Sequence, residues 1–304
     1  GTKGISLFVV PREWVDDDGN IQEFNDVNCV GIEHKMGIKG SSTCVMAFGE
    51  ENICRGYILG NPPDAEGNGE GMAQMFQMMN GARMETGHAA LAETAVAYHN
   101  AAAYATERIQ GRPITNPRAD RMPIIKHEDV RRMLLDLKAH LEAMRALIFQ
   151  TYYYFDVVEN TQDAEEKKYI QSLIEVNTPI VKAYCSDKAW ELCAEAMQVY
   201  GGNGYSEEYP IAELARDVKI YSIWEGTNYI QSMDLVARKW MMGKGSVFAN
   251  WLSLIENFAV DNAQVAGFEQ EMDILKRAVA SYREIQNTIA GYVMNGKINM
   301  MPIY

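Results

Sequence analysis

From residue 71 onward the chain reads as helix almost throughout, in segments much longer than an average helix, and this constrains the fold more than any other feature. In the segment 126–158, Val130, Leu134, Leu137, Leu141, Met144 and Ile148 step by three and four, which lays one apolar stripe along a single helix. The segment 71–110 is rich in alanine, an intrinsic helix former, and stops at Gly111. A short helix is expected over 164–176. Another starts at Asn177-Thr178-Pro179, with Thr178 as N-cap and Pro179 at the first helical position, and ends at Gly201-Gly202. The last of the set is predicted over 226–242. Four long helices with short connections fit an up-and-down bundle. Amphipathic segments at 246–259 and 268–294 predict two more helices beyond it.

Residues 1–60 read differently. Apolar runs at 5–10, 27–31 and 42–48 are separated by glycine and charge, which predicts strands. The acidic run Asp16-Asp17-Asp18-Gly19-Asn20 is a turn, and its spacing lacks the glutamate of a calcium loop. Asn61-Pro62-Pro63 opens a linker that reaches Gly71. The expected organisation is a partial β domain over 1–65, a helical bundle over 66–243 and a helical extension over 244–304, mainly α in fold class.

Composition excludes several functions. A net charge of −13 opposes binding to DNA or RNA, which relies on cations that neutralise phosphates. No apolar run reaches the ~20 residues of a membrane span, and no signal peptide is visible. The five cysteines form no C-x-x-C pair, which argues against a disulfide framework or a zinc site and for a reducing cytoplasm. The histidines have no metal-ligand spacing, so no metal is expected. The methionines at 72–84 and the aromatic run at 152–155 read as bundle packing.

The chemistry lies at 198–231. Glu225 precedes Gly226-Thr227-Asn228, and either Thr227 or Asn228 suits the N-cap of the following helix. Free N–H groups then gather beside a carboxylate. A base next to such donors suits removal of a proton alpha to a carbonyl, with the donors holding the developing oxyanion. The plainer reading is a carboxylate complementing the positive end of a helix. Arg216-Asp217 reads as a local ion pair that positions a loop.

The run AEAMQVYGGNGYSEEYPIAELARDVKIYSIWEGTNYIQ resembles the closing signature of the acyl-CoA dehydrogenases. IEHKMGIKGSSTCVMAFGE resembles the end of that family's middle β domain. MNGARMETGHAALA, YATERIQGRPI and IIKHEDVRRML resemble its first helices. The order is unbroken over about 1–242. The resemblance implies FAD as cofactor, an acyl-CoA substrate and Glu225 as the catalytic base, with Trp224 in the position where tyrosine is commoner. It implies cofactor contacts from Arg108, Gln110, His127, Gln198, Val199, Gly201, Gly202, Thr227 and Asn228, with Arg108 approaching the pyrophosphate from a neighbouring subunit. It places Asn80, Arg83, Trp224 and Gly226 at the substrate, and leaves the partner of Arg83 open among Glu225, CoA and a structural acid. Glu128 stands where a His-Gln pair would have glutamine. The resemblance further implies a homodimer or homotetramer and an electron-transferring flavoprotein as electron acceptor. An oxidase of the same fold is the alternative, and so is a bundle module inactive in isolation. The nitroalkane-oxidising branch fits less well, because it uses aspartate where Glu225 stands. The chain starts without methionine in a strand-like segment, and its helical extension ends at MMPIY. This predicts a piece of one of the larger bacterial members. Acyl chain length is not legible.

Overall fold

The computed structural model describes residues 2–297; the MMPIY terminus lies outside them. Six short strands come first. They form three antiparallel two-stranded ladders: β1 (Leu7–Val9) with β6 (Tyr57–Leu59), β2 (Glu13–Val15) with β3 (Ile21–Phe24), and β4 (Val27–Ile32) with β5 (Cys44–Phe48). The Asp16 turn joins β2 to β3 as an exposed hairpin tip. Its carboxylate accepts from the backbone N–H groups of Asp18 at 3.0 Å and Asn20 at 2.8 Å, which holds it below the usual aspartate range.

Three long helices follow: α1 (Gly71–Glu107), α2 (Glu128–Asn160) and α3 (Ala164–Tyr200). The predicted stripe of α2 is buried as expected at Leu137, Leu141, Met144 and Ile148. α1 meets α3 through a seam of small residues, with Ala90, Ala97, Ala101 and Ala105 fully buried. At Gly87 the two helices nearly touch: a Cβ there would lie 2.5 Å from Val181 Cγ1. That helix start predicted at Thr178 does not occur. α3 runs unbroken through Pro179, and the Thr178 hydroxyl donates back to the Ile174 carbonyl at 2.8 Å. Proline costs a helix interior roughly 3 kcal/mol. Burial of Leu173, Ile174, Val176 and Val181 on the same helix, at roughly 1.5–3 kcal/mol each, outweighs it.

The fourth layer of the bundle is interrupted. α4 (Ile211–Val218) passes through a 3₁₀ turn over Lys219–Ser222 to the loop that carries Glu225. α5 (Asn228–Ala237) begins after that loop and is shorter than the predicted 226–242. The segment Lys239–Gly245 starts as a 3₁₀ turn, leaves helical geometry at Met242–Lys244, and leads into α6 (Ser246–Asp261) and then α7 (Glu269–Met294). These two helices form a second, smaller core in which Phe248, Leu252 and Val279 close on Val176 of α3. Trp251 Nε1 donates to Asn177 Oδ1 at 3.0 Å, and Asn177 Nδ2 donates to Thr151 Oγ1 at 3.1 Å, so α6 is hydrogen-bonded through α3 to α2.

The β segment is latched to the bundle by Asp217, whose Oδ1 accepts from the Ile38 backbone N–H at 2.6 Å. Ile38 has φ +45°, an uncommon conformation for a β-branched residue, and it occupies the contact. The expected Arg216–Asp217 ion pair is absent. Asp217 is taken by the Ile38 amide, and Arg216 points instead to Glu207 at 3.6 Å.

Gly87→Ala tests the seam. Alanine is the better helix former by about 1 kcal/mol. We nevertheless expect net destabilisation of roughly 1–3 kcal/mol from overpacking against Val181, read as a lowered denaturant midpoint.

Candidate active site

α5 begins at Asn228, two residues later than the sequence predicted, and of the two candidate caps it uses Thr227. The Thr227 Oγ1 accepts from the Ile230 N–H at 3.4 Å. The two residues before it are both left-handed, Gly226 at φ +81° and Glu225 at φ +52°. Glycine adopts this freely; for glutamate it stores roughly 1–3 kcal/mol, and such outliers gather at functional sites. Glu225 is half-buried and Trp224 beside it is exposed. The first turn of α5 leaves N–H groups with no acceptor inside the helix, next to this carboxylate.

Asn228 is not the cap, and its side chain turns inward onto α3. Its Oδ1 accepts from Lys182 Nζ at 2.8 Å, and its Nδ2 donates to Asp187 Oδ1 at 2.6 Å. Lys182 is fully buried. Burial lowers its pKa to about 8; Asp187 and Glu225 oppose that shift, while Arg83 adds to it. The partner of Arg83 is a structural acid: its guanidinium pairs with Asp234 at 3.1 Å, both side chains buried, and Arg238 approaches the same carboxylate at 3.3 Å. Asn80 is half-buried, three residues before Arg83 on α1.

Sequence reasoning singled out neither Lys182, Asp234 nor Gln231. Gln231 closed the quoted motif, yet its role became visible only in three dimensions. It is 1% exposed, and its Nε2 donates to the Gly226 carbonyl at 2.9 Å and lies 3.4 Å from that of Glu225. Lys182 sits inside an otherwise apolar stretch, and that incongruity was the available signal.

Two pockets flank these elements. One, of about 530 Å³, lies between the β4–β5 turn and the 3₁₀ turn after α4 and is largely apolar. Met36, Ile38, Ile220, Ile223 and Trp224 line it, with Lys35 and Arg216 at its edge. The second, also about 530 Å³, gathers seven of the predicted cofactor residues: Arg108, Gln110, His127, Gln198, Val199, Gly201 and Gly202. Arg108 caps the end of α1, is exposed and makes no ion pair among the described residues. His127 is held by the Gln110 carbonyl, 2.8 Å from Nε2. Gly201 closes α3 at φ 61°, ψ −140°, a conformation that is essentially glycine's alone. A Cβ on Gly201 or Gly202 would meet nothing within 4 Å, so the backbone faces open space. Below lies a tyrosine cluster, Tyr104 stacked on Tyr200 at 4.2 Å, with Asn203 Nδ2 donating to the Tyr104 hydroxyl at 3.0 Å. Thr227 and Asn228 are not part of this group. Gln198 lies 11 residues beyond Asp187 along α3, about 16 Å at 1.5 Å per residue.

The sequence matches the family described as "Acyl-CoA dehydrogenase, C-terminal domain" over residues 69–240, more than half of its length. The chain belongs to the acyl-CoA dehydrogenase family. It is 46% identical over 297 residues to a butyryl-CoA dehydrogenase of Syntrophomonas wolfei, an alignment covering 98% of this chain and 48% of that protein. The butyryl-CoA dehydrogenase structure from Megasphaera elsdenii matches at 29% identity and TM-score 0.56, over 70% of this chain and 48% of that one. ACDH-11 of Caenorhabditis elegans, crystallised with C11-CoA, shares the fold at TM-score 0.74 and 19% identity, over 93% of this chain and 47% of that one. The chain spans about half the length of the curated relatives it matches. Among the described residues no helix is long and apolar enough to cross a membrane, and no cluster suited to a metal ion occurs.

The buried lysine gives a pH signature. Its pKa is depressed in the fold, so below about pH 8 both folded and unfolded chains carry the charge and its burial cost is fully present. Between there and the unfolded value of 10.5 the unfolded chain binds more protons, and stability rises with pH. Wild type should therefore gain on Lys182→Met between pH 7 and 10.5, by at most roughly 3 kcal/mol. Denaturant unfolding of both proteins across that range measures it, and a pH-independent difference would contradict the assignment.

Proposed function

We propose that this chain supplies the catalytic base and part of the flavin site of an FAD-dependent acyl-CoA dehydrogenase, which oxidises an acyl-CoA thioester to the trans-2-enoyl-CoA. The observation that carries the reading is Glu225, a half-buried carboxylate in left-handed backbone at the mouth of α5 and beside an apolar pocket. Glu225 removes the alpha proton onto a carboxylate oxygen. Helix-start N–H groups are suitable donors to the developing oxyanion of the substrate, and such donors make the alpha proton easier to remove. Trp224 and Gly226 border the acyl group, with Asn80 and Arg83 on the facing helix.

The residues present fit FAD. The open glycine backbone at Gly201-Gly202 admits a close ligand, and the fork of Arg108 suits a pyrophosphate. Gln110, His127, Gln198 and Val199 complete that wall. In this reading Thr227 and the Asn228 backbone, at the start of α5, would help hold the flavin, while Arg108 would reach the pyrophosphate of a neighbouring subunit's cofactor. When bound, FAD accepts the beta hydrogen as hydride. The proposed assembly is a homodimer or homotetramer, and the proposed electron acceptor is an electron-transferring flavoprotein.

Glu225→Gln is the direct test, made in the flavin-loaded enzyme that contains this chain. We expect flavin content to be kept and flavin reduction by acyl-CoA to be lost; wild-type reduction would refute the base. Arg108→Ala should weaken FAD retention during gel filtration by about tenfold or more, the scale of one charge-assisted contact, while reduction of the flavin that remains persists. The elution volume reports the oligomeric state in the same run.

A further inference from the structure

The left-handed turn at Glu225 needs something to hold it. Residues in the left-handed region persist where the surroundings over-determine them. Thr227 fixes the helix that follows but touches neither carbonyl of the turn. One residue reaches all three links of the loop. Gln231 donates from its side-chain amide to the Gly226 carbonyl at 2.9 Å and toward the Glu225 carbonyl at 3.4 Å. Its backbone N–H donates to the Thr227 carbonyl at 3.1 Å. The amide orientation is determined, because both side-chain neighbours are carbonyl oxygens and only the NH₂ end can donate to them. Gly226 leaves room for this: a Cβ there would stand 3.0 Å from Gln231 Nε2. The side chain is buried, so water cannot readily replace it.

We propose that Gln231 is a positioning residue for α-proton removal, its buried amide clamping the carbonyls of Glu225 and Gly226, on either side of the Gly226 Cα, so that the Glu225 carboxylate is presented to substrate. The proposal rests on Glu225 as the base. The clamp has a second anchor on the far side of the turn, where Asn228 is tied to Lys182 and Asp187 on α3. Gln231 therefore fixes the rotation of the turn against a helix start that cannot itself shift.

The experiment compares Gln231→Met, close in shape and without a donor, with wild type in the flavin-loaded enzyme. We expect kcat for flavin reduction to fall by about tenfold or more with KM within about twofold, since binding contacts remain while the geometry of attack is lost. On a Glu225→Asp background the same substitution should cost much less, because the shortened carboxylate is already out of place. A kcat within twofold of wild type, or the full loss repeated on the Asp background, overturns the proposal. If Gln231→Met sheds its flavin, Gln231→Asn replaces it, keeping a polar amide but withdrawing it by one methylene. A fall in kcat at steady KM is again expected, and wild-type kcat overturns the proposal. Glu225→Gln is measured alongside: wild-type reduction in that variant refutes the base itself, separately from the clamp.

Discussion

The contact between α1 and α3 at Gly87 and Val181 sets the positions of the other elements. Only small side chains allow two helices to approach so closely, and the alanine seam continues that approach along α1. With α1 and α3 fixed, α2 lays its stripe into the groove between them. The remaining face of α3 then receives α4 and α5, and with them the Glu225 loop. A close-packed interior transmits displacement, so the geometry at Glu225 depends on side chains well away from it.

The underside of α5 is unusual in an acidic chain. Arg83, Lys182 and Lys239 are all buried there or nearby. Arg83 is balanced by Asp234, and Lys239 by Glu175, but Lys182 is bonded to a neutral amide. Buried ion pairs contribute little net stability compared with apolar packing, whereas loss of one partner is costly. Arg83 and Lys182 each bond a side chain of α5, so a shift of that helix would leave both cations buried without these partners.

How much of this the sequence disclosed follows from the range of the forces involved. The stripe of α2 and the alanine of α1 were legible because helical periodicity is local. The Gly201 stop was legible for the same reason, and the cap of α5 was narrowed to Thr227 or Asn228. Seven cofactor residues drawn from α1, α2 and α3 were named through family resemblance, and they line one pocket in the structure. The helix boundary at Thr178 was misread because local proline chemistry favours a start there, and tertiary burial overrode it. Asp217 was paired with its neighbour Arg216 when its partner was an amide 179 residues away. Asp234, Lys182 and the inward turn of Asn228 depend on which face of α5 meets α3, which no local pattern encodes.

Proline 179 has a mechanical meaning as well. It lacks the amide that would bond the Glu175 carbonyl, so α3 has one missing rung, and helices bend most readily at such a point. The gap falls between Asn177, which holds α6 through Trp251, and Lys182, which holds α5 through Asn228. On one side of that rung lies the extension and on the other the entrance to the active site. The stretch of α3 that anchors both the extension and the active-site loop is thus the one with a missing rung, so a bend there would change the angle between the two anchors.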